Sequence, residues 1–292
     1  MKIGIIGPGA IGLLFAYYLQ KESITVTIYT RTENQAANIR KQGITCIIKD
    51  VKYTVYPNAI PLCEASIQDD YVFVAVKQYH LQSVLPYLFN ARGTLVFLQN
   101  GMTHLALLQK FTQVAVGIVD HGVRKENDTT IIHTGVGITK LGIVNGEKEL
   151  FQPLFSIFTD VFSLVLEEDW YETIVNKLVV NACVNPLTAL YKVKNGELIH
   201  NESFKQVMKT VCTEVLYILD KKNKEDYWQR VCSVCEKTAE NRSSMLEDVI
   251  NDRPTEIEAI LGYLLNKAIE NNQHAPLLSF LYHSIKGMEH IR

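Results

Sequence analysis

The sequence predicts an α/β fold, with a doubly wound parallel sheet over residues 1–167 followed by an all-helical domain over residues 168–292. Three observations carry this expectation. Short β-branched runs alternate with helix-like runs to about residue 165, the rhythm of βαβ units. A glycine-rich turn, Gly7-Pro8-Gly9-Ala10-Ile11-Gly12, joins the first run to the second. From Trp170 the texture changes to long stretches with apolar residues every three or four positions.

In chain order, Ile3 to Ile6 reads as a strand, Ala10 to Lys21 as a helix and Thr25 to Tyr29 as the second strand. Further strands are expected at Ile44 to Ile48, Val51 to Tyr56, Tyr71 to Val76, Thr94 to Leu98, Val114 to Val119, Thr129 to His133 and Gly137 to Leu141. Lys49-Asp50 is placed to turn a hairpin. In the second half, Phe204 to Lys221, Tyr227 to Glu240 and Glu256 to Glu270 carry helical spacing. No Gly/Ser/Pro-rich linker, repeat or low-complexity segment separates the halves, so the helical domain is expected to pack directly on the sheet domain.

Bulk properties narrow the function classes. A chain of 292 residues fits about two domains. Its 47% hydrophobic and 21% charged content is that of an ordinary soluble globular protein. The net charge of −2 and the lack of a Lys/Arg block argue against a nucleic-acid partner. Hydrophobic order begins at residue 3 and no apolar run reaches membrane-spanning length, so a cytoplasmic protein with no membrane partner is expected. The six cysteines are scattered, which fits reduced thiols. Only Cys232 and Cys235 form a C-x-x-C pair, inside a helix-like stretch without a second pair or a histidine at ligand spacing, so no metal is expected.

The glycine turn is the strongest local signal because it follows a strand and opens a helix. Gly7 permits the tight turn, Gly9 lets the backbone approach a pyrophosphate and Gly12 allows close helix packing, while the helix N-terminus attracts phosphate. This is the Rossmann-type dinucleotide fingerprint. NAD-preferring versions place an acidic residue at the end of the second strand. Here that strand ends Tyr29-Thr30-Arg31, and a guanidinium suits a 2′-phosphate, so NADP(H) is the expected cofactor. A plain surface arginine is the alternative for Arg31, and Glu33 stands close enough to take the acidic part.

Ligands of open α/β sheets bind beyond the carboxyl ends of the strands. Lys77 and Asn100 follow such ends and are expected at the cofactor, against the readings of a strand-terminating lysine and an Asn-Gly turn. In the helical half, Lys177, Asn181 and Asn185 recur every four residues and so share one helix face. Polar groups on an otherwise apolar segment need partners, which a carboxylate and carbonyl of a substrate would supply. Pro186 should end or kink the helix at Asn185, which would then cap the next helix. Lys177 is either a snorkelling lysine or, if partly buried, a proton donor of lowered pKa. Ser244 and Glu256 read from spacing alone as helix-start residues.

Taken together, these motifs resemble the ketopantoate reductase (2-dehydropantoate 2-reductase) family from end to end. The resemblance rests on the glycine turn, Val76-Lys77, Asn100-Gly101-Met102, Ile132-His133, Lys177-x-x-x-Asn181-x-x-x-Asn185-Pro186-Leu187-Thr188, Asn195-Gly196, Asn241-x-Ser243-Ser244-Met245 and Thr255-Glu256-Ile257. It implies NADPH-dependent reduction of a small keto acid, ketopantoate, in a cleft between a Rossmann domain and a helical domain. By position, it implies Lys177 as general acid, with Asn181, Asn185, Asn195 and Ser244 on the substrate and Asn100 on both substrate and cofactor. Gly7, Pro8, Gly9, Ala10, Ile11, Gly12, Arg31, Lys77 and Val123 would serve the cofactor, and Glu256 the cofactor or the ordering of the catalytic site. Pro8 and the absence of a glycine-rich entry to the last helix depart from the family pattern. A homodimer is the assembly kept open. The competing readings are an NADP-dependent dehydrogenase of the same architecture with another keto or β-hydroxy acid, a non-catalytic NADPH-binding regulator, and a dithiol protein using Cys232 and Cys235.

Overall fold

A computed structural model describes residues 1–290; Ile291 and Arg292, the end of the second predicted domain, lie outside the described residues. The described residues form two compact units, residues 1–99 with 104–171 and residues 100–103 with 172–290.

The first unit contains β1 (Lys2–Ile6), α1 (Ala10–Lys21), β2 (Thr25–Thr30), α2 (Glu33–Gln42), β3 (Ile44–Ile48), β4 (Val51–Val55) and β5 (Asn58–Pro61). Next come β6 (Tyr71–Val74), α3 (Leu81–Leu88), β7 (Thr94–Phe97), α4 (Leu105–Leu108) and β8 (Val114–Val119). It ends with β9 (Gly122–Lys125), β10 (Thr130–Gly135), β11 (Ile138–Asn145), α5 (Gln152–Phe155) and β12 (Ser163–Leu166). The main sheet has eight strands in the order β12-β11-β8-β7-β6-β1-β2-β5. Every residue of β6, β7 and β8 is buried, as for parallel strands covered on both faces. The core gathers Ile3, Ile5, Phe15, Phe73 and Val96.

Two features differ from a single run of parallel strands. β11 lies antiparallel to β8, because no helix separates them and a parallel return needs a long crossover. The strands β4, β3, β10 and β9 leave the main sheet for a second, four-stranded one, so the runs predicted at residues 44–56 and 129–133 belong to a different layer from their neighbours. The hairpin at Lys49-Asp50 forms as expected, both residues adopting positive φ. Three short strands, β5, β9 and β12, were not expected.

The second unit is helical: α6 (Trp170–Tyr191), α7 (Glu197–His200), α8 (Glu202–Ile218), α9 (Lys224–Lys237), α10 (Ser244–Ile250), a π-helical turn (Glu258–Gly262), α11 (Tyr263–Glu270) and α12 (Pro276–His290). The first two residues of α6 belong to the first unit. α8 is central, packing on α7, α9, α11 and α12. Here the helix end expected at Pro186 does not form. α6 runs unbroken through it, so Asn185 lies inside a helix and caps nothing. An internal proline costs about 3 kcal/mol, but every residue from Ala182 to Ala189 is buried. Fully burying one side chain such as Val184 or Leu187 contributes about 1.5–3 kcal/mol, so packing outweighs the lost hydrogen bond. No helix of the described residues is long and apolar enough to cross a membrane.

Candidate active site

The glycine loop is held by β1 and β2. Gly7 donates its N–H to the Tyr29 carbonyl at 3.0 Å and turns the chain at φ +103°, a conformation that side chains with a Cβ rarely adopt. A Cβ at Gly12 would stand 2.0 Å from the Gly7 carbonyl oxygen, so the helix seats itself on the loop only with glycine there. A Cβ at Gly9 would meet only the Ala75 carbonyl, at 3.7 Å, leaving open space above the loop. Gly9 is the N-cap of α1 and offers no side-chain acceptor to the first-turn amides, and no acidic residue stands in that turn. Open space over uncapped amides at the positive end of a helix fits a dinucleotide pyrophosphate. Pro8, Ala10 and Ile11 complete the loop as half-buried residues.

Arg31 lies exposed just past β2, and its backbone N–H is held by Gln35 Oε1 at 3.3 Å. Glu33, the nearby carboxylate, is ion-paired to Arg40, which also donates to the Ala59 carbonyl at 2.7 Å. Lys77 follows β6, half-buried, with its ammonium 5.9 Å from the Tyr79 ring centroid. Burial, then the charges of Arg31 and Lys77, hold the His80 imidazole below its ordinary range, so the two predicted cofactor cations share one neighbourhood. Gln99 ties the same strand ends together, donating from Nε2 to the carbonyls of Val74 and Val76 at 2.9 Å each. Its Oε1 and that of Gln78 are buried without a partner, acceptors of the kind a bound ligand would satisfy. Val123 sits half-buried on β9, packed against the core.

Asn100 belongs to the helical unit, where its Nδ2 donates to Glu256 Oε2 at 3.1 Å. That bond fixes the amide's orientation. Gly101 follows at φ +78°, and a Cβ there would lie 2.2 Å from the Ala259 carbonyl oxygen, so the Asn100 loop rests on the backbone of the π-helical turn. The Asn-Gly pair is thus more than a generic turn. π-turns inside helices recur at functional sites.

On α6, Lys177 and Asn181 are half-buried and Asn185 is 7% exposed, one face of a helix whose opposite side is apolar. Thr188 continues that face, its Oγ1 2.7 Å from Ser243 Oγ. Ser243, not Ser244, caps α10, accepting from the Leu246 N–H at 3.1 Å; Ser244 is the exposed first residue of the helix. Asn195 donates from its backbone to the Asn241 carbonyl at 3.0 Å and from Nδ2 to Thr238 Oγ1 at 2.9 Å, and its Oδ1 is buried without a partner. The Asn185 end of α6, the Asn195 turn and the start of α10 are therefore stitched together through Thr188, Ser243 and Asn241. Sequence reasoning assigned no role to Gln99, His80 or Thr188, although Thr188 closes the Lys177–Thr188 run. Only Gln99, lodged between a strand and Asn100, carried a positional signal.

A further buried chain lies beside α1: the Tyr18 hydroxyl is 2.8 Å from His133 Nδ1, and His133 Nε2 is 3.2 Å from His121 Nδ1. The Gly137 N–H donates to the same His121 Nδ1 at 3.1 Å, which makes that nitrogen the acceptor and His133 Nε2 the proton-bearing one. Cys232 and Cys235 lie on α9 with ordinary packing roles, and no group of three metal-ligating side chains occurs among the described residues.

A glycine-looped Rossmann sheet, a cation just past the end of β2 and a helical unit with a lysine–asparagine stripe define a dinucleotide-dependent oxidoreductase. Comparison with known proteins makes this particular. The family model described as ketopantoate reductase PanE/ApbA matches residues 3–146, and the model of its C-terminal part matches residues 169–289. The 2-dehydropantoate 2-reductase of Bacillus subtilis is 44% identical over 99% of this chain and 98% of its own. A crystal structure of a probable 2-dehydropantoate 2-reductase from the same organism covers 99% of this chain and 100% of its own, with a TM-score of 0.88 and 42% identity. D-mandelate dehydrogenase, solved with NADH and anilino(oxo)acetate, shares the fold at a TM-score of 0.91 and 20% identity, over 99% of this chain and 98% of its own. The chain belongs to the ketopantoate reductase family.

Proposed function

We propose that the protein reduces 2-dehydropantoate to pantoate with NADPH, using Lys177 as the proton donor. The observation that carries this reading is the stripe of half-buried Lys177 and Asn181 and buried Asn185 on α6, set in a chain 44% identical to a curated 2-dehydropantoate 2-reductase. A sensor that only bound nucleotide would have no use for a cation and two amides on an apolar helix.

When bound, the reduced nicotinamide supplies a hydride to C2 of the keto acid. As the carbonyl π pair moves onto oxygen, Lys177 Nζ stabilises the growing negative charge and gives up a proton to it, a combined electrostatic and general-acid role. Asn181 and Asn185 orient the substrate, with Asn195 and Ser244 at the far end of the stripe. Asn100, its amide fixed by Glu256, presents its oxygen toward substrate and cofactor. Gly7, Gly9 and Gly12 shape the pyrophosphate cradle, with Pro8, Ala10, Ile11, Lys77 and the Val123 backbone beside it. Arg31 meets the 2′-phosphate, and the Glu33–Arg40 pair supports that preference by occupying the carboxylate that would favour an unphosphorylated ribose.

NADPH oxidation measured with ketopantoate against a panel of aliphatic and aromatic 2-keto acids and β-keto acids tests the assignment. A kcat/KM highest for ketopantoate is expected. A higher value for an aromatic keto acid, or NADPH binding without turnover of any acid, overturns it.

A further inference from the structure

Lys125 ends β9, and its position is unusual for a lysine. Its Nζ donates to the Pro8 carbonyl oxygen at 3.1 Å, inside the glycine loop, and pairs with Asp128 Oδ1 at 3.2 Å. The side chain is 24% exposed, while its partner carboxylate is 56% exposed and solvated. Residues two apart on a strand share a face. Val123 and Lys125 accordingly turn inward, Val123 onto the core, whereas Arg124 between them is exposed and pairs with Glu126. β9 thus carries an ammonium group to the residue just before Gly9, the N-cap of α1.

That is the wrong end of a helix for a cation. The amides of the first turn already carry partial positive charge, and a neighbouring ammonium is stabilising only at the opposite terminus. α1 has no acidic residue in its first turn to offset it, and Asp128 sits in water, where an ion pair contributes little. The placement becomes favourable once an anion lies over the loop, in the open space above Gly9, between the uncapped amides and the ammonium.

We propose that Lys125 is a binding residue for the cofactor pyrophosphate, closing the cradle from the side of the second sheet. This deepens the reading of the glycine loop as a dinucleotide site and rests on it. It is independent of which keto acid is reduced. Pro8 gains a meaning as well: it lacks an N–H, so the loop offers the ligand one amide fewer, and its carbonyl serves to hold the lysine that stands in.

The test is nucleotide binding by the purified protein without substrate, followed by fluorescence titration with NADPH, NADH and adenosine 2′-monophosphate at low and high salt. Lys125→Met keeps the aliphatic stem and removes the charge. It should weaken NADPH and NADH alike, each by about tenfold, the weight of one charge-assisted hydrogen bond. It should leave the 2′-monophosphate, which has no pyrophosphate, unchanged, and it should flatten the salt dependence of dinucleotide binding. Lys125→Arg should restore both affinity and salt dependence. If Lys125 merely braces the loop through Pro8, Lys125→Met lowers affinity with an unaltered salt dependence, and the proposal is overturned. It is overturned too if Lys125→Met binds both dinucleotides like the parent protein, or if the parent protein binds no dinucleotide. Turnover of ketopantoate enters none of these outcomes, so a wrong substrate assignment leaves the test standing.

Discussion

Removing the guanidinium of Arg31 should separate the two nicotinamide cofactors. Arg31 is exposed at the end of β2 and the nearby Glu33 is neutralised by Arg40, so the expected 2′-phosphate partner is Arg31 itself. A hydrogen bond to a charged group is worth about 1.5–3 kcal/mol, and exposure places this one at the lower end because solvent screens it. Arg31→Ala should therefore raise the Kd for NADPH roughly tenfold and leave that for NADH within about twofold. The structure adds a second arm. Arg40→Ala releases the Glu33 carboxylate beside the phosphate, a repulsion on the order of 0.5–1 kcal/mol in water, so NADPH should weaken a few-fold while NADH holds. Fluorescence titration with both cofactors at fixed ionic strength reads all four constants. Equal losses for NADPH and NADH in Arg31→Ala would remove Arg31 from the 2′-phosphate site.

Other outcomes follow from the same geometry. Lys177→Ala should lower kcat at least about a hundredfold with little change in NADPH affinity, and near-normal turnover would end its assignment as the acid. Gly101→Ala must hold a side chain at φ +78° and place a Cβ 2.2 Å from the Ala259 carbonyl oxygen. Positive φ alone costs about 1–2 kcal/mol, so the melting temperature and kcat should both fall, and a parent-like thermal melt would show that the loop is not seated on the π-turn. His104, 2% exposed, has its imidazole pushed down to about 4 by burial. A histidine that resists protonation in the folded state contributes stability above its ordinary value near 6.5, lost as pH falls toward 4. Between pH 7.5 and 5 this amounts to about 2 kcal/mol, visible as a lower urea midpoint, and His104→Leu should remove that part of the acid sensitivity. An unchanged acid limb in His104→Leu would contradict it.

The parts of the fold that were legible in sequence are those governed by local periodicity. β1 and β8 could be read directly because burial on both faces demands continuous apolar runs, β2 because its residues alternate, and α1 because an apolar run of helical length follows the glycine turn and is buried from Gly12 to Leu19. What could not be read depends on partners distant in sequence. β5 is four residues long, with a terminal proline, and is a strand only because β2 pairs with it. β3, β4 and β10 look like main-sheet strands, and only the three-dimensional return of the chain sends them to a second sheet.

For the candidate site, the same division separates what the sequence suggests from what only the fold brings together. The glycine loop could be read because its chemistry is compressed into six consecutive residues, and the α6 stripe because helical spacing projects it onto one face. The residues that fix the site's shape work through long-range bonds: Gln99 to β6, Thr188 to Ser243, Lys125 to Pro8. Pro186 shows why a correct local rule misleads here. A proline after Asn185 lowers helix propensity, yet a helix buried over eight consecutive residues is governed by packing, and the break never forms. Keeping that helix continuous through Asn185 has a structural consequence. Because α6 continues, Lys177, Asn181, Asn185 and Thr188 stay in one register, and the hydroxyl contact to Ser243 anchors the far end of the stripe at the start of α10. A helix that ended at Asn185 would release Thr188, and with it the hydroxyl contact to Ser243 that ties the start of α10 to α6.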